Sequence, residues 1–146
     1  MTDAAGPSTR KRVLVADAHQ IILDTETAIL AAEFDVVGMA RNGPAVIQAA
    51  AELDPDVITL DITMPEMNGL EVARRLKAQG SRARIVFLTV HEDPDLVAEA
   101  MKSGALGYVV KATMASGFPM AIRTVLEGRR FISPGIRITG EDKHIK

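Results

Sequence analysis

The chain has 146 residues, 47% hydrophobic and 25% charged, with a formal net charge of −2 and no cysteine, which suits one globular domain. The lack of cysteine excludes disulfides and thiolate metal sites, and the weakly acidic balance argues against direct binding to nucleic acid. Because no apolar run approaches the roughly 20 residues of a membrane-spanning helix and the first residues lack an apolar signal segment, we expect a cytoplasmic protein with no membrane partner.

The chain divides into a polar lead-in, a long patterned region and a short tail. Residues 1–11 are small and polar and then basic, which predicts a disordered lead-in. Residues 12–134 alternate between short apolar runs and helical patterns, which predicts a single folded domain. Residues 135–146 are interpreted as a linker or tail.

Five short apolar runs in residues 12–134 predict strands, because they are brief, rich in β-branched residues and bounded by turn signals. The runs are Val13–Ala16, Val36–Ala40, the segment from Asp56 to Leu60, Ile85–Thr89 and Leu106–Val110.

Helical patterns and capping residues lie between these runs. The first helix is predicted over residues 21–33, where five residues recur close to helical spacing: Ile21, Ile22, Thr25, Ile29 and Ala32. Asn42, Asn68 and Asp93 are each interpreted as the N-cap of a following helix. The last helix is predicted to begin near Phe118, because the proline that follows it suits a first helical position.

Strands that are apolar along their whole length are typical of a parallel sheet covered by helices on both faces. Right-handed crossovers then predict a doubly wound α/β sandwich, in which functional residues lie beyond the carboxyl ends of the strands. Four predicted strands end in a polar residue able to handle a phosphate or a metal: Asp17, Asp61, Thr89 and Lys111. Four complementary groups at one edge favour a functional site.

These residues lie in segments that resemble the receiver domains of two-component response regulators. The matching segments are VLVADAH at the first strand, LDITMPEMNG around Asp61, FLTV containing Thr89 and GYVVK ending at Lys111. The resemblance covers residues 12–134. It implies a five-stranded parallel sheet of order 2-1-3-4-5 flanked by five helices, which is the flavodoxin-like receiver fold.

The resemblance implies that Asp61 is the phosphoacceptor, which receives a phosphoryl group from a sensor histidine kinase. Lys111 and Thr89 would bind phosphoryl oxygens. Mg²⁺ would be held by Asp17, Asp61 and the main-chain carbonyl of Thr63. The domain would at most catalyse its own phosphotransfer and dephosphorylation, so we expect no other enzyme activity.

Plainer interpretations stay open for several of these residues. Asp17 could be only the N-cap of the first helix, and Lys111 only a solvated lysine at a strand end. Tyr108 lies where the family carries an aromatic switch that works with Thr89, yet an aromatic residue there could be ordinary core packing. His19 is interpreted as structural, since no second His or Cys lies at metal-ligand spacing.

The chain departs from the family pattern at Ala18, where the usual residue is an acid that contacts Mg²⁺. We therefore expect weak Mg²⁺ binding. The alternative function is an atypical receiver-like interaction domain whose Mg²⁺-dependent phosphorylation is impaired. An aspartate-nucleophile phosphatase is disfavoured, because Thr63 stands where the second acid of an Asp-x-Asp motif would be required.

The segment AIRTVLEGRRFISP is similar to the end of receivers that precede a C-terminal helix-turn-helix domain, which suggests a role in transcription. Contact with DNA would then need an output domain absent from this chain. The same helix suggests a homodimer, with a two-fold interface that could use Ile122, Val125 and Leu126 if any of that face is left exposed.

Overall fold

The computed structural model describes residues 9–136, so most of the predicted lead-in over residues 1–11 and of the predicted tail over residues 135–146 lies outside the described residues. The elements in chain order are β1 (Arg12–Ala16), α1 (Gln20–Leu30), β2 (Asp35–Ala40), α2 (Gly43–Leu53), β3 (Val57–Leu60), α3 (Gly69–Ala78), β4 (Arg84–Thr89), α4 (Pro94–Lys102), β5 (Gly107–Val110), a 3₁₀ turn (Lys111–Thr113), α5 (Met114–Leu126) and β6 (Phe131–Ile132). Over residues 9–136, no helix combines the length and apolar character needed to cross a membrane.

The strands form one parallel sheet of order β2-β1-β3-β4-β5-β6. The predicted five-strand order is thereby confirmed, and the two-residue β6 extends it beside β5. Ser133, directly after β6, accepts a hydrogen bond at its side-chain oxygen from the amide of Val110 at 3.0 Å. Two residues are too few to give a periodic signal, which is why the sequence did not predict this strand.

The two faces of the sheet are buried in separate apolar layers, as whole-length apolar strands require. Ile58 and Leu60 of β3 pack with α2, α3 and α4, whereas Val57 lies in the opposite layer with α1 and α5. All four residues of β3 are buried. The strand therefore carries the following residue, Asp61, to the edge of a core closed on both sides.

The residues whose spacing predicted α1 do not form its buried face, and the helix is shorter than predicted. Ile21 is 77% exposed, Thr25 and Ala32 are also exposed, and the helix ends at Leu30. The buried residues are instead Leu23, Glu26 and Leu30. An acid lies within the true buried stripe, so counting apolar residues alone selected a neighbouring face of the helix.

The predicted start of the last helix is also wrong, because α5 begins at Met114 and holds Pro119 in its interior. Its buried residues are Met114, Phe118, Ala121, Ile122 and Val125. Their burial against the sheet outweighs the hydrogen bond that a proline within a helix cannot make.

The same packing contradicts the predicted dimer face. Ile122 and Val125 are fully buried against the sheet within one chain, and Leu126 is half-buried. Ile122 and Val125 are therefore part of the core and cannot form a two-fold interface without unfolding the helix from the sheet, whereas Leu126 keeps some exposed surface.

The three predicted N-caps are confirmed, and one of them starts the helix behind the loop that follows β3. The side chain of Asn68 accepts a hydrogen bond from the amide of Glu71 at 2.9 Å, while Asn42 and Asp93 cap α2 and α4. Gly69 then donates its amide to the carbonyl of Ile62 at 2.7 Å. This contact closes the loop against the end of β3.

We predict that Gly69→Ala destabilises the protein, because a Cβ at this position would lie 2.2 Å from the carbonyl oxygen of Asp61. Relieving that overlap must displace the main chain at the end of β3, which we expect to cost about 1–3 kcal/mol of unfolding free energy or more. Urea unfolding measures this loss. Gly117→Ala is the matched control: its Cβ would make only contacts of 3.9 Å or longer, so alanine should leave stability unchanged or raise it within α5. Equal effects of the two substitutions would contradict the close approach.

Candidate functional site

Three charged side chains converge at the carboxyl edge of the sheet. Lys111 Nζ lies 2.7 Å from Asp17 Oδ2 and 2.9 Å from Asp61 Oδ2. The contact with Asp61 is also a hydrogen bond. Asp17 is fully buried and Asp61 is 5% exposed. One ammonium group therefore pairs with two carboxylates that have little contact with solvent, and it neutralises only part of their charge.

The ammonium of Lys111 is held in its charged form by this arrangement. Burial acts to lower the pKa of Lys111, but hydrogen bonds and charge from Asp17 and Asp61 outweigh burial and keep the pKa above its ordinary value. Lys111 is only 13% exposed at its side chain. It is thus a fixed cation of the site, and the interpretation of a solvated lysine does not fit.

Asp17 reaches this cluster from the end of β1, and its other oxygen holds the start of α1. Its Oδ1 accepts a hydrogen bond from the amide of His19 at 2.9 Å and lies 3.1 Å from the ring Nδ1 of His19. His19, rather than Asp17, occupies the N-cap position of α1. The main-chain carbonyl of Ala18 accepts hydrogen bonds from Arg41 at 3.1 and 3.3 Å. Asp17 therefore does more than hold the start of α1, because it also forms an ion pair with Lys111.

Both carboxylate oxygens of Asp61 lie close to a donor. Oδ2 accepts from Lys111, and Oδ1 accepts from the amide of Thr63 at 3.3 Å. The hydroxyl of Thr63 lies 3.1 Å from the ring Nε2 of His91. The loops that follow β3 and β4 thus meet beside Asp61.

Thr89 and Tyr108 are both buried near the end of the sheet, and His91 connects them. The hydroxyl of Thr89 accepts a hydrogen bond from the amide of His91 at 3.4 Å, and the hydroxyl of Tyr108 donates to the carbonyl of His91 at 2.9 Å. Burial, followed by the charge of Asp61, raises the pKa of Tyr108 far above its ordinary value. Tyr108 therefore stays protonated and can keep donating to His91.

His91 was missed in the sequence because it lies beyond the end of β4, in a loop with no periodic pattern. Its position two residues after Thr89 was the available signal, since it places the main chain of His91 beside the hydroxyl of Thr89. The ring of His91 contacts the loop after Asp61, and its main chain contacts the strand that carries Tyr108.

Glu26 was also missed, although it lies beneath the site. It is fully buried on α1 and accepts a hydrogen bond from the hydroxyl of Thr59 at 2.8 Å. Burial, with the charges of Asp17 and Asp61, raises the pKa of Glu26 to about 8, against the lowering effects of Thr59 and Lys111. The signal in the sequence was an acid spaced three residues after Leu23 and four before Leu30.

The oxygen donors of the site fit Mg²⁺. Asp17 and Asp61 offer carboxylates and Thr63 offers a main-chain carbonyl, which are hard ligands of the kind that Mg²⁺ prefers. Among residues 9–136 no group of three or more His, Cys, Asp or Glu side chains converges on one point. Two carboxylates are nevertheless sufficient for Mg²⁺, which keeps several waters and shares phosphate oxygens.

The family model of the response regulator receiver domain matches residues 13–123. A response regulator, GacA, from Pseudomonas viridiflava is 38% identical over 128 residues, which cover 86% of this chain and 59% of the relative. The transcriptional regulatory protein DegU from Brevibacillus brevis is 32% identical over 127 residues, which cover 86% of this chain and 54% of the relative. The chain therefore spans somewhat more than half the length of these curated relatives.

Solved structures show the same architecture. A LuxR-family two-component response regulator from Aurantimonas sp. SI85-9A1 superimposes with a TM-score of 0.87 at 26% identity, covering 94% of this chain and 100% of that chain. The signal receiver domain of the putative response regulator NarL from Mycobacterium tuberculosis gives a TM-score of 0.80 at 28% identity, covering 84% and 100%. These neighbours confirm the flavodoxin-like fold expected from the sequence.

We predict that Glu26→Gln removes a pH-dependent loss of stability. The pKa of Glu26 is raised from 4.5 to about 8 in the folded protein, so the stability contributed by its neutral form is complete below pH 4.5 and is lost as pH rises through 8. Glutamine cannot ionise, so the variant should gain a few kcal/mol relative to the parent protein between these limits. Thermal unfolding from pH 5 to 8.5 measures the difference. Parallel curves for the two proteins would show that Glu26 does not titrate in this range.

Proposed function

The chain belongs to the response regulator receiver domain family, and we propose that it serves a two-component phosphorelay as the module that accepts the phosphoryl group on Asp61. The donor in this proposal is the phosphohistidine of a sensor kinase. The observation that carries the proposal is the contact of Lys111 with both Asp61 and Asp17 at the carboxyl edge of the sheet. The ammonium of Lys111 is fixed at the point where a phosphoryl group on Asp61 would place its negative charge.

Asp61 is the proposed nucleophile. Its oxygen attacks phosphorus, an oxygen–phosphorus bond forms, and the bond from phosphorus to the histidine nitrogen breaks, so that the imidazole leaves and an acyl phosphate remains. Phosphoryl transfer depends mainly on positioning and on neutralising charge at three equatorial oxygens. Lys111 lies within 2.9 Å of the attacking carboxylate, and the amide of Thr63 lies 3.3 Å from its other oxygen.

The Mg²⁺ site is proposed at Asp17, Asp61 and the carbonyl of Thr63. A bound Mg²⁺ supplies additional positive charge to the transferring group. Asp17 prepares this position by holding one oxygen against Lys111 and the other against the amide of His19. A main-chain amide and an ammonium thus fix the orientation of Asp17 before any metal arrives.

The proposed switch consists of Thr89 and Tyr108, with His91 as the link between them. A phosphoryl oxygen on Asp61 would attract the hydroxyl of Thr89, which now accepts from the amide of His91. The loop after β4 would then shift, and with it the carbonyl of His91 that holds Tyr108. Phosphorylation thereby changes which packing of this loop is favoured.

The partners of the proposal are the sensor kinase and a transcriptional output. The relatives include regulators of transcription, and this chain spans only part of their length, so DNA binding is assigned to an output domain beyond the receiver. Residues 12–134 are proposed as the receiver domain and residues 135–146 as its linker or tail. A homodimer stays in the proposal, although its surface must differ from the buried face of α5. The comparisons do not favour the alternative of an atypical interaction domain, whose motive is Ala18 alone.

We predict that Asp61→Asn abolishes phosphorylation by acetyl phosphate in the presence of Mg²⁺, because the amide cannot act as the nucleophile. Intact mass spectrometry should show one added phosphoryl group on the parent protein and none on the variant. Asp24→Asn, which changes an exposed acid of α1, is the control and should keep the label. A label that persists in Asp61→Asn, or that maps to Asp17, would refute this assignment.

Ala18→Asp is expected to bind Mg²⁺ several-fold more tightly, because it adds a third carboxylate at the edge where Asp17 and Asp61 lie. Ala18→Asn is the matched control, since it adds a side chain of similar size without charge. NMR titration of Mg²⁺ into each protein gives the affinities. If all three affinities agree, position 18 does not face the metal.

For the switch, we expect structures with and without a phosphoryl mimic to differ in the rotamers of Thr89 and Tyr108 or in the position of His91. Tyr108→Phe removes the hydrogen bond to His91 while keeping the ring, so it should alter this difference without preventing phosphorylation. Identical positions of these three residues in both structures, combined with altered partner binding, would reject the switch.

A further inference from the structure

Glu26 lies within the protein rather than in the open part of the site. Its side chain is fully buried, its Oε1 accepts the hydroxyl of Thr59 at 2.8 Å, and its Oε2 has no hydrogen-bond partner within residues 9–136. Thr59 precedes Asp61 by two residues in the chain, and residues two apart along a strand point to the same face of a sheet. Glu26 is therefore joined to the strand that presents Asp61, on the α1 side of the sheet.

The charges that act on Glu26 are those of the site itself: Asp17 after β1, Asp61 after β3 and Lys111 after β5. The helix α5, which packs beside α1, contributes only apolar residues to the buried layer between them. The ion pair of Arg123 with Glu33 is also near α1, but it lies beyond the opposite end of the helix and at the surface. Burial is the largest cause of the raised pKa of Glu26, and the charges that add to or oppose it all lie at the carboxyl edge of the sheet.

With Lys111 as the only cation, the two carboxylates and one ammonium leave a net negative charge at the site. A further negative charge on Glu26 is therefore unfavourable. Glu26 is consequently neutral at pH 7, in line with the raised pKa described above. A divalent cation at Asp17 and Asp61 would reverse the sign of the net charge. In a buried setting of low dielectric, that reversal strongly favours ionisation of a nearby acid.

We propose that Glu26 supplies, from beneath the site, the acidic charge that Ala18 does not provide: it stays protonated while Lys111 is the only cation, and it releases its proton when Mg²⁺ enters. The proton passes to solvent and the negative charge stays on the carboxylate of Glu26. Glu26 acts through its charge and through Thr59, to which its hydrogen bond goes, and does not itself bind the metal. This inference rests on the proposed Mg²⁺ site.

The proposal makes Mg²⁺ affinity depend on pH. When binding releases one proton, affinity rises with pH by at most about tenfold per unit and levels off above the pKa of the free protein. Mg²⁺ affinity of the complete chain is measured by NMR titration between pH 6.5 and 9. Released protons are counted by calorimetry in two buffers with different enthalpies of protonation. The parent protein should release a substantial fraction of one proton near pH 7.

Glu26→Gln is the deciding variant, because it keeps the size of the side chain and removes the charge. We expect it to release no proton, to bind Mg²⁺ with an affinity independent of pH, and to bind several-fold more weakly than the parent protein at pH 8.5. Asp24→Asn, on the exposed side of the same helix, should keep the proton release. Thr59→Val removes the hydrogen bond that favours ionisation, so it should move the rise in affinity to higher pH.

The outcomes separate this inference from the proposed function. If Glu26→Gln and the parent protein bind Mg²⁺ with the same pH dependence and the same proton release, the role of Glu26 is overturned while the metal site stands. If the parent protein binds no Mg²⁺ at any pH in this range, the metal site is refuted and the role of Glu26 with it.

Discussion

One ammonium group between two buried carboxylates sets the character of the carboxyl edge of this sheet. Asp17 and Asp61 end neighbouring strands, so the parallel order β1-β3 brings their negative charges together, and without Lys111 they would repel each other. Lys111 reaches them from the far side of β4, because it directly follows β5. The ion pairs depend on the strand order, because it places both carboxylates within reach of one ammonium group. The strand order therefore determines both the fold and the position of the three charged groups.

Two loops, after β3 and after β4, contact this edge of the sheet. The loop after β3 directs the amide of Thr63 toward Asp61, and the close approach of Gly69 to the carbonyl of Asp61 fixes the path of that loop. The loop after β4 carries His91, whose ring contacts the first loop and whose main chain contacts both Thr89 and Tyr108. A chain of hydrogen bonds and close contacts thus leads from Asp61 through Thr63 and His91 to the hydroxyl of Tyr108.

The polar residues at the carboxyl edge of the sheet could be predicted because the signals that mark them are local in the sequence. An apolar run that stops at Asp61 or Lys111 marks both the strand and the end where function lies, and Asn68 marks the start of α3. The errors arose where tertiary packing decides the outcome. Pro119 is tolerated inside α5 because the buried stripe from Met114 to Val125 packs on the sheet. Glu26 was overlooked since an acid contradicts an apolar pattern, yet it is fully buried and bonded to Thr59. His91 could not be placed because loop geometry has no period.

The sixth strand fixes the position at which the chain leaves the sheet. Val110 immediately precedes Lys111, and its amide is held by the side chain of Ser133, just past β6. The amide of Ser133 is in turn bonded to the carbonyl of Tyr108 at 2.9 Å. The chain therefore leaves the sheet bonded to β5, the strand that carries Tyr108 and directly precedes Lys111. The main chain and the side chain of Ser133 thus bind β5 at two points, which fixes the position of the chain where it leaves the sheet.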